Sequence, residues 1–349
     1  NINQIDIYSS TYNIIRYVNI GFEALEKSAL TGDARKRCYG QLAFFRAWSH
    51  WRLVRAYGGV PYMKKPVTFE SPDAIRNAPR NKTSECIAFI KEDLDSAINN
   101  LPKFWPVNEY SRITRAAAAA FKGRVLLFYA SPQFTPNNTD AAIKTARWKD
   151  AYDANIQARD ICIADGHGLM NVTVDSTAMW PVRRDMNKIF LTKKSDPKNN
   201  EVIMVTPYFL NVKMHGYENT VCPGELTGSR PSLTPSWDLV ISFPMRDGSL
   251  PFQYSATSKD TRTFTGNGGV RGKFYLNRDA RFYATIAYNG CYYPLEGNTT
   301  KRVWMFNFKR KNNTTYFGEN TTVDKTTTTG FMNRKMVNPS LNRTDFGKS

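Results

Sequence analysis

Between Gln41 and Tyr62 the chain places Phe44, Ala47, Trp48, Trp51 and Val54 at spacings of three and four, with Leu42, Phe45, Leu53, Ala56 and Tyr57 forming a second stripe beside them. That pattern predicts a helix that is apolar around most of its circumference, sits between other helices and keeps Trp48 and Trp51 in the core. Its cations, Arg46, Arg52 and Arg55, have stems long enough to pack on aromatic rings while the guanidinium reaches a carboxylate or carbonyl. Gly58-Gly59 and Pro61 end it, because glycine tolerates the left-handed turn and proline cannot continue a helix.

Similar spacing recurs on both sides. Residues 5–30 read as helix from Ile14, Val18, Phe22 and Leu25, with Asp33 placed to cap the next one. After a proline-rich loop over residues 64–80, Thr83 is an expected N-cap for a helix carrying Cys86, Ile90, Leu94, Ala97 and Leu101, stopped by Pro102. The alanine run after Thr114 predicts a helix whose small side chains let a neighbour approach closely. A further helix is predicted from Trp148 to Ala164, with Trp148, Ala151, Tyr152, Ile156, Arg159 and Cys162 as the stripe along it. The four helices from Phe44 to Cys162 are expected to pack as two antiparallel pairs.

Beyond Gly168 the pattern changes. Glu201–Thr206 reads as a strand. Thr234 and Pro235 open a short helix with Trp237, Val240 and Ile241 or Phe243 facing inward, and Asp247-Gly248 turns the chain. Phe282–Tyr288 reads as a strand, Asn289-Gly290 as a hairpin turn, Cys291–Tyr293 as the return, and residues 312–329 as a loop. The fold class that follows is mostly α with an α+β remainder: a helical region over residues 1–166 and an irregular, loop-rich region with short strands over 167–349, the two forming one continuous domain.

Composition narrows the function classes. Apolar content of 41% in 349 residues is that of a globular chain, and no apolar run approaches the length of a membrane span. The five cysteines are scattered and never in a C-x-x-C pair, so they read as free, small apolar residues. His50, His167 and His215 lie too far apart in sequence for a zinc motif. No P-loop, dinucleotide fingerprint or G-x-S-x-G elbow occurs, and Asp238, Asp247, Asp260 and Asp279 show no spacing that pairs them across a cleft, so neither a cofactor nor a catalytic residue is expected. Lys and Arg outnumber Asp and Glu 48 to 30, a net charge of +18 that attracts polyanions. A basic nucleic-acid-binding protein is one reading of that charge, although no helix-turn-helix, RRM or KH signature appears.

The stretch Phe44, Arg46, Ala47, Leu53, Val54, Tyr57, Gly58, Val60 and Pro61 resembles the F-x-R-A…L-V-x-x-Y-G-x-V-P signature of the SusD/RagB family of surface nutrient-binding lipoproteins. Further landmarks follow in order: Asp93, Leu94, Ala97, Leu101 and Pro102; Arg124, Val125 and Leu127; Pro235, Leu239, Val240, Phe243, Asp247 and Gly248; and Arg278–Phe282, where Ala280 replaces the proline of a D-P-R-F turn. The resemblance implies tetratricopeptide-like helix pairs and capture of oligosaccharide, or of peptide as in RagB-like members. It also implies a lipid anchor facing the cell exterior and a SusC-like TonB-dependent transporter as partner. A lipid-bearing cysteine before Asn1 and a last helix pair beyond Ser349 are expected in the parent chain.

Sugar rings stack their C–H faces on aromatic side chains and present hydroxyls to Asn, Asp, Arg or Glu at the rim. The loop residues that fit are Trp180, Tyr217, Glu225 and Arg230. The family resemblance places ligand loops near the family's N-terminal region and in the region preceding the P-x-x-x-L-V segment but fixes no residue in either, and a loop aromatic can equally pack beneath its own loop.

Overall fold

The computed structural model describes residues 7–66, 77–170 except 138, 190–192, 200–206, 216–222, 231–254, 262–264, 275–288, 291, 293, 303, 327 and 329–338. It comprises two units, Asn1–Leu169 with Asn200–Thr206, and Met170–Asn199 with Pro207–Ser349.

Among the described residues, five long helices build the first unit: α1 (Tyr8–Glu26), α2 (Gly32–Tyr57), α3 (Thr83–Asn100), α4 (Arg115–Ala130) and α5 (Ala141–Ala164). Each packs on the next in sequence, so the expected pairs α2/α3 and α4/α5 form part of a continuous five-helix run with one shared core. The mostly helical packing is the architecture the apolar spacing calls for, and it is consistent with the tetratricopeptide-like pairs that the family resemblance implies. Trp51, in the C-terminal third of α2, is only 5% exposed. Trp48 is partly buried, with ring centroids of Phe121 and Phe44 at 4.6 and 5.9 Å. The second stripe divides: Leu53 is buried, whereas Phe45 and Ala56 face outward.

Helix ends follow local hydrogen bonding more than apolar period. Thr114 Oγ1 accepts from Ala117 N and caps α4. Thr83 is the first residue of α3 and not its cap; Lys82 holds that position, and its amide donates to the Glu85 carboxylate at 3.0 Å. Asp33 likewise lies inside the first turn of α2, whose cap position is Thr31. α5 begins seven residues before Trp148, because Asp140 Oδ1 accepts from Ala142 N at 2.7 Å and the residues that follow are good helix formers.

The inward face of α5 also differs from the expected stripe. Ala151, Ala154 and Ala158 are buried, while Trp148 and Tyr152 are 48% and 67% exposed. The alanine-rich surface of α4, with Ala116 to Ala119 all buried, admits small partners, and the bulky residues of α5 point away. Glu201–Thr206 forms no strand; Asn200 O instead accepts from Gly168 N at 3.2 Å, and Ile203 packs on the helical core.

The second unit contains α6 (Tyr217–Val221), α7 (Trp237–Ser242), β1 (Phe252–Tyr254), β2 (Arg262–Phe264), α8 (Ala280–Thr285), β3 (Ile286–Ala287) and β4 (Met332–Asn333). β1 pairs antiparallel with β2, and β3 with β4 in the register Ile286↔Asn333 and Ala287↔Met332. Ser236, not Thr234, caps α7, its Oγ accepting from Leu239 N. The stretch read as a strand from Phe282 is helical to Thr285, because Asp279 Oδ1 accepts from Arg281 N and the carboxylate also pairs with the Arg281 guanidinium. Cys291 and Tyr293 belong to no strand, Val303 N donating to Cys291 O, while Tyr292 and Asn289-Gly290 lie outside the described residues. The Asp247-Gly248 turn forms as expected, with Gly248 at φ 87 and Ser249 N donating to Asp247 Oδ1. Most of residues 312–329 lie outside the described residues. All five cysteines are free.

Candidate functional site

The signature residues of the first unit converge on a buried polar centre. Arg46 projects from α2 onto Asp93 of α3, with Nε to Oδ2 at 2.8 Å and Nη2 to Oδ1 at 2.6 Å, and its guanidinium carbon lies 4.3 Å from the Phe22 ring centroid. Burial works to lower the Arg46 pKa, but the hydrogen bond and charge of Asp93 outweigh it and raise it. Tyr62 donates its hydroxyl to Asp93 Oδ2 at 2.7 Å and stacks on His50 with centroids 3.7 Å apart. Burial first, then the Asp93 charge, raises the Tyr62 pKa well above its ordinary value.

His50 bridges α2 and the segment after it. Its Nδ1 lies 2.9 Å from Arg46 O, and Met63 N donates to Nε2 at 3.2 Å, a pair of contacts that suits the neutral imidazole with its proton on Nδ1. Burial pushes its pKa down to about 4 against the counter-pull of the Arg46 carbonyl. Asn19 of α1 completes the centre by donating to Met63 O and Lys65 O at 2.9 and 3.3 Å. These bonds fix residues 61–65 as a wall facing α1.

Between that wall and α1 lies a cavity of about 270 Å³ lined by Tyr8, Tyr12, Asn13, Arg16, Met63 and Lys65 among others. Tyr8, Tyr12 and Arg16 share one helix face at successive spacings of four. Tyr12 donates to Pro61 O at 2.7 Å, and its ring centroid is 4.7 Å from that of Tyr8, which meets Tyr57 edge-on at 5.4 Å. Burial, then the Tyr8 contact, raises the Tyr12 pKa, so the Tyr12 hydroxyl remains neutral at physiological pH. No Asp or Glu lines this cavity among the described residues. Sequence spacing concealed it because α1 reads simply as an amphipathic helix; the Tyr8/Tyr12/Arg16 series marks one helix face but carries no sign of the opposing wall.

Of the loop residues chosen from sequence, Trp180, Glu225 and Arg230 lie outside the described residues. Tyr217 opens α6, half-buried, with its hydroxyl donating to Lys335 O at 2.8 Å and accepting from Asn333 Nδ2 at 2.8 Å. Burial raises its pKa. Nearby in the same unit, the second set of signature residues meets: Arg278 Nη2 donates to Val240 O and Phe243 O at 2.7 and 2.8 Å, while Val240 and Phe282 share one core with Phe243 packed on it. Both sets of signature residues therefore hold the backbone in place. Among the described residues no three His, Cys, Asp or Glu side chains gather as a metal site, and no helix is long and apolar enough to cross a membrane.

Comparison with known proteins gives two family models in chain order. Residues 1–127 match a model described as "starch-binding associating with outer membrane", and residues 200–349 match the SusD family model. A SusD-like protein from Bacteroides fragilis superimposes with a TM-score of 0.68 at 24% identity, covering 95% of this chain and 57% of its own. A SusD-like carbohydrate-binding protein from the same organism gives 0.65 at 20% identity, covering 96% and 55%. SusD-like protein P25 of Formosa agariphila is 23% identical over 121 residues, 34% of this chain and 22% of the relative. The chain thus spans little more than half of the solved relatives.

Proposed function

This chain belongs to the SusD family, and from that premise we propose that it is a non-catalytic protein that captures oligosaccharide at the outer face of the outer membrane. The observation that carries the reading is the pair of family models matching both ends of the chain, the first described as starch-binding and outer-membrane-associated. The likeness in fold to a carbohydrate-binding relative supports it. In this reading the chain is lipid-anchored and hands its ligand to a SusC-like TonB-dependent transporter. Trp180, Tyr217, Glu225 and Arg230 would line the loop site. A structural role for the Tyr217 hydroxyl is compatible with its ring edge meeting ligand, since its residue is only partly buried.

Calorimetric titration with neutral oligosaccharides, acidic oligosaccharides and short peptides tests the reading. Binding of a glycan, weakened by Trp180→Ala or Tyr217→Ala and without release of new reducing ends, is the expected result. Binding of peptides alone would move the chain to a RagB-like role, and glycan cleavage would overturn the non-catalytic reading. Co-purification from native outer membranes with a large plugged β-barrel is expected for the partnership.

A further inference from the structure

We propose that the cavity between α1 and residues 61–65 is a subsite for one acidic sugar residue; this deepens the glycan-capture reading and rests on it. Its volume of about 270 Å³ lies just below the range of about 300–1,000 Å³ typical of drug-sized ligands, so it suits a single ring and not an extended chain. Two tyrosine rings supply flat apolar surface for the C–H face of a pyranose. Both are held before any ligand arrives, Tyr12 by its bond to Pro61 O and Tyr8 by its edge contact with Tyr57. A preorganised wall spares the ordering cost that usually offsets binding.

The chemistry of the rim selects the ligand. Arg16 continues the Tyr8 and Tyr12 face by one further turn, and Lys65 stands on the opposing wall. A guanidinium matches a carboxylate or sulfate with two parallel hydrogen bonds, and an ammonium adds a point charge. Asn13 offers an amide to the ring hydroxyls. Among the described residues, no carboxylate stands in the lining to repel an anion. The opposing wall keeps its position because Asn19 and His50 hold both the carbonyl and the amide of Met63.

The test is calorimetric titration of the full chain with trigalacturonate and with neutral galactotriose. Arg16 and Lys65 are exposed side chains, so the double variant Arg16→Gln, Lys65→Gln should fold, as its thermal midpoint will show. The expected result is a loss of trigalacturonate affinity of about tenfold or more, the scale of one charge-assisted contact, with galactotriose affinity unchanged. Tyr8→Ala should weaken both ligands. Retention of full trigalacturonate affinity by the double variant overturns the subsite. If, in addition, Tyr217→Ala abolishes binding, the subsite fails while glycan capture stands. Binding of neither sugar, nor of any other glycan, overturns both.

Discussion

Arg46 and Asp93 lie 47 positions apart in sequence and meet as a bidentate pair buried between α2 and α3. A buried pair of this kind adds little over an apolar substitute, yet removing one partner strands a charge, at a cost of about 3–5 kcal/mol. Asp93→Ala should therefore lower the unfolding free energy by that amount in urea titration, more than any exposed ion-pair deletion such as Lys149→Ala. His50 makes a second, pH-dependent contribution. Its folded pKa of about 4 lies below the unfolded value of about 6.5, so the unfolded chain binds the extra proton first as pH falls. The stabilisation is present above about pH 6.5 and is lost as pH drops through 4, by about 3 kcal/mol in total. Protonation also puts a second donor against the Met63 amide, which faces Nε2. Urea midpoints measured from pH 7 to pH 4 should fall, and His50→Gln should flatten that fall.

At the scale of elements, the turn that ends α2 leaves the least room. Gly58 adopts φ 74, and a Cβ on Gly59 would come within 2.1 Å of Asn81 O, a backbone atom that cannot step aside. Gly59→Ala should thus cost more than about 2 kcal/mol, and the Tyr57 and Gly59 carbonyls that Arg80 engages should lose that clamp. Trp51→Ala should cost about 3–5 kcal/mol and Trp48→Ala less, because Trp48 keeps part of its ring in solvent. The helices themselves were legible wherever apolar residues recur at helical spacing, as in α2, α3 and α4. Two readings failed for a common reason. On α5 the largest apolar residues, Trp148 and Tyr152, face outward, while the buried positions are the small Ala151, Ala154 and Ala158 and Asn155 donates to Gly123 O of the small-residue surface of α4. At Phe282 the β-prone side chains yield to the Asp279 cap. In both cases a specific neighbour or hydrogen bond outweighs side-chain propensity. The cavity on α1 was illegible because its second wall comes from residues some 50 positions away, placed there by Asn19 and His50.

Across the whole molecule, 48 basic residues face 30 acidic ones, and residues 259–349 alone hold 16 basic against 6 acidic. Such an excess draws in any polyanion through its long-range field, whereas a neutral glycan gains nothing from it. Two sources of affinity for an acidic glycan then differ in their response to salt. The field acts over the Debye length, which shrinks from about 30 Å at 0.01 M salt to about 8 Å at 0.15 M, while charges in direct contact with the ligand, well within that length, are screened far less. Affinity for an acidic polysaccharide should fall steeply over that interval and affinity for a neutral one should stay flat. The Arg16→Gln, Lys65→Gln variant removes two charges of the total, so it should lower acidic-glycan affinity at 0.15 M while leaving most of the salt slope in place. If the slope vanished with those two charges, attraction would reside in the cavity alone. A salt-independent affinity for a neutral oligosaccharide, lost in Trp180→Ala or Tyr217→Ala, would instead make aromatic stacking the deciding interaction and the positive charge incidental to capture.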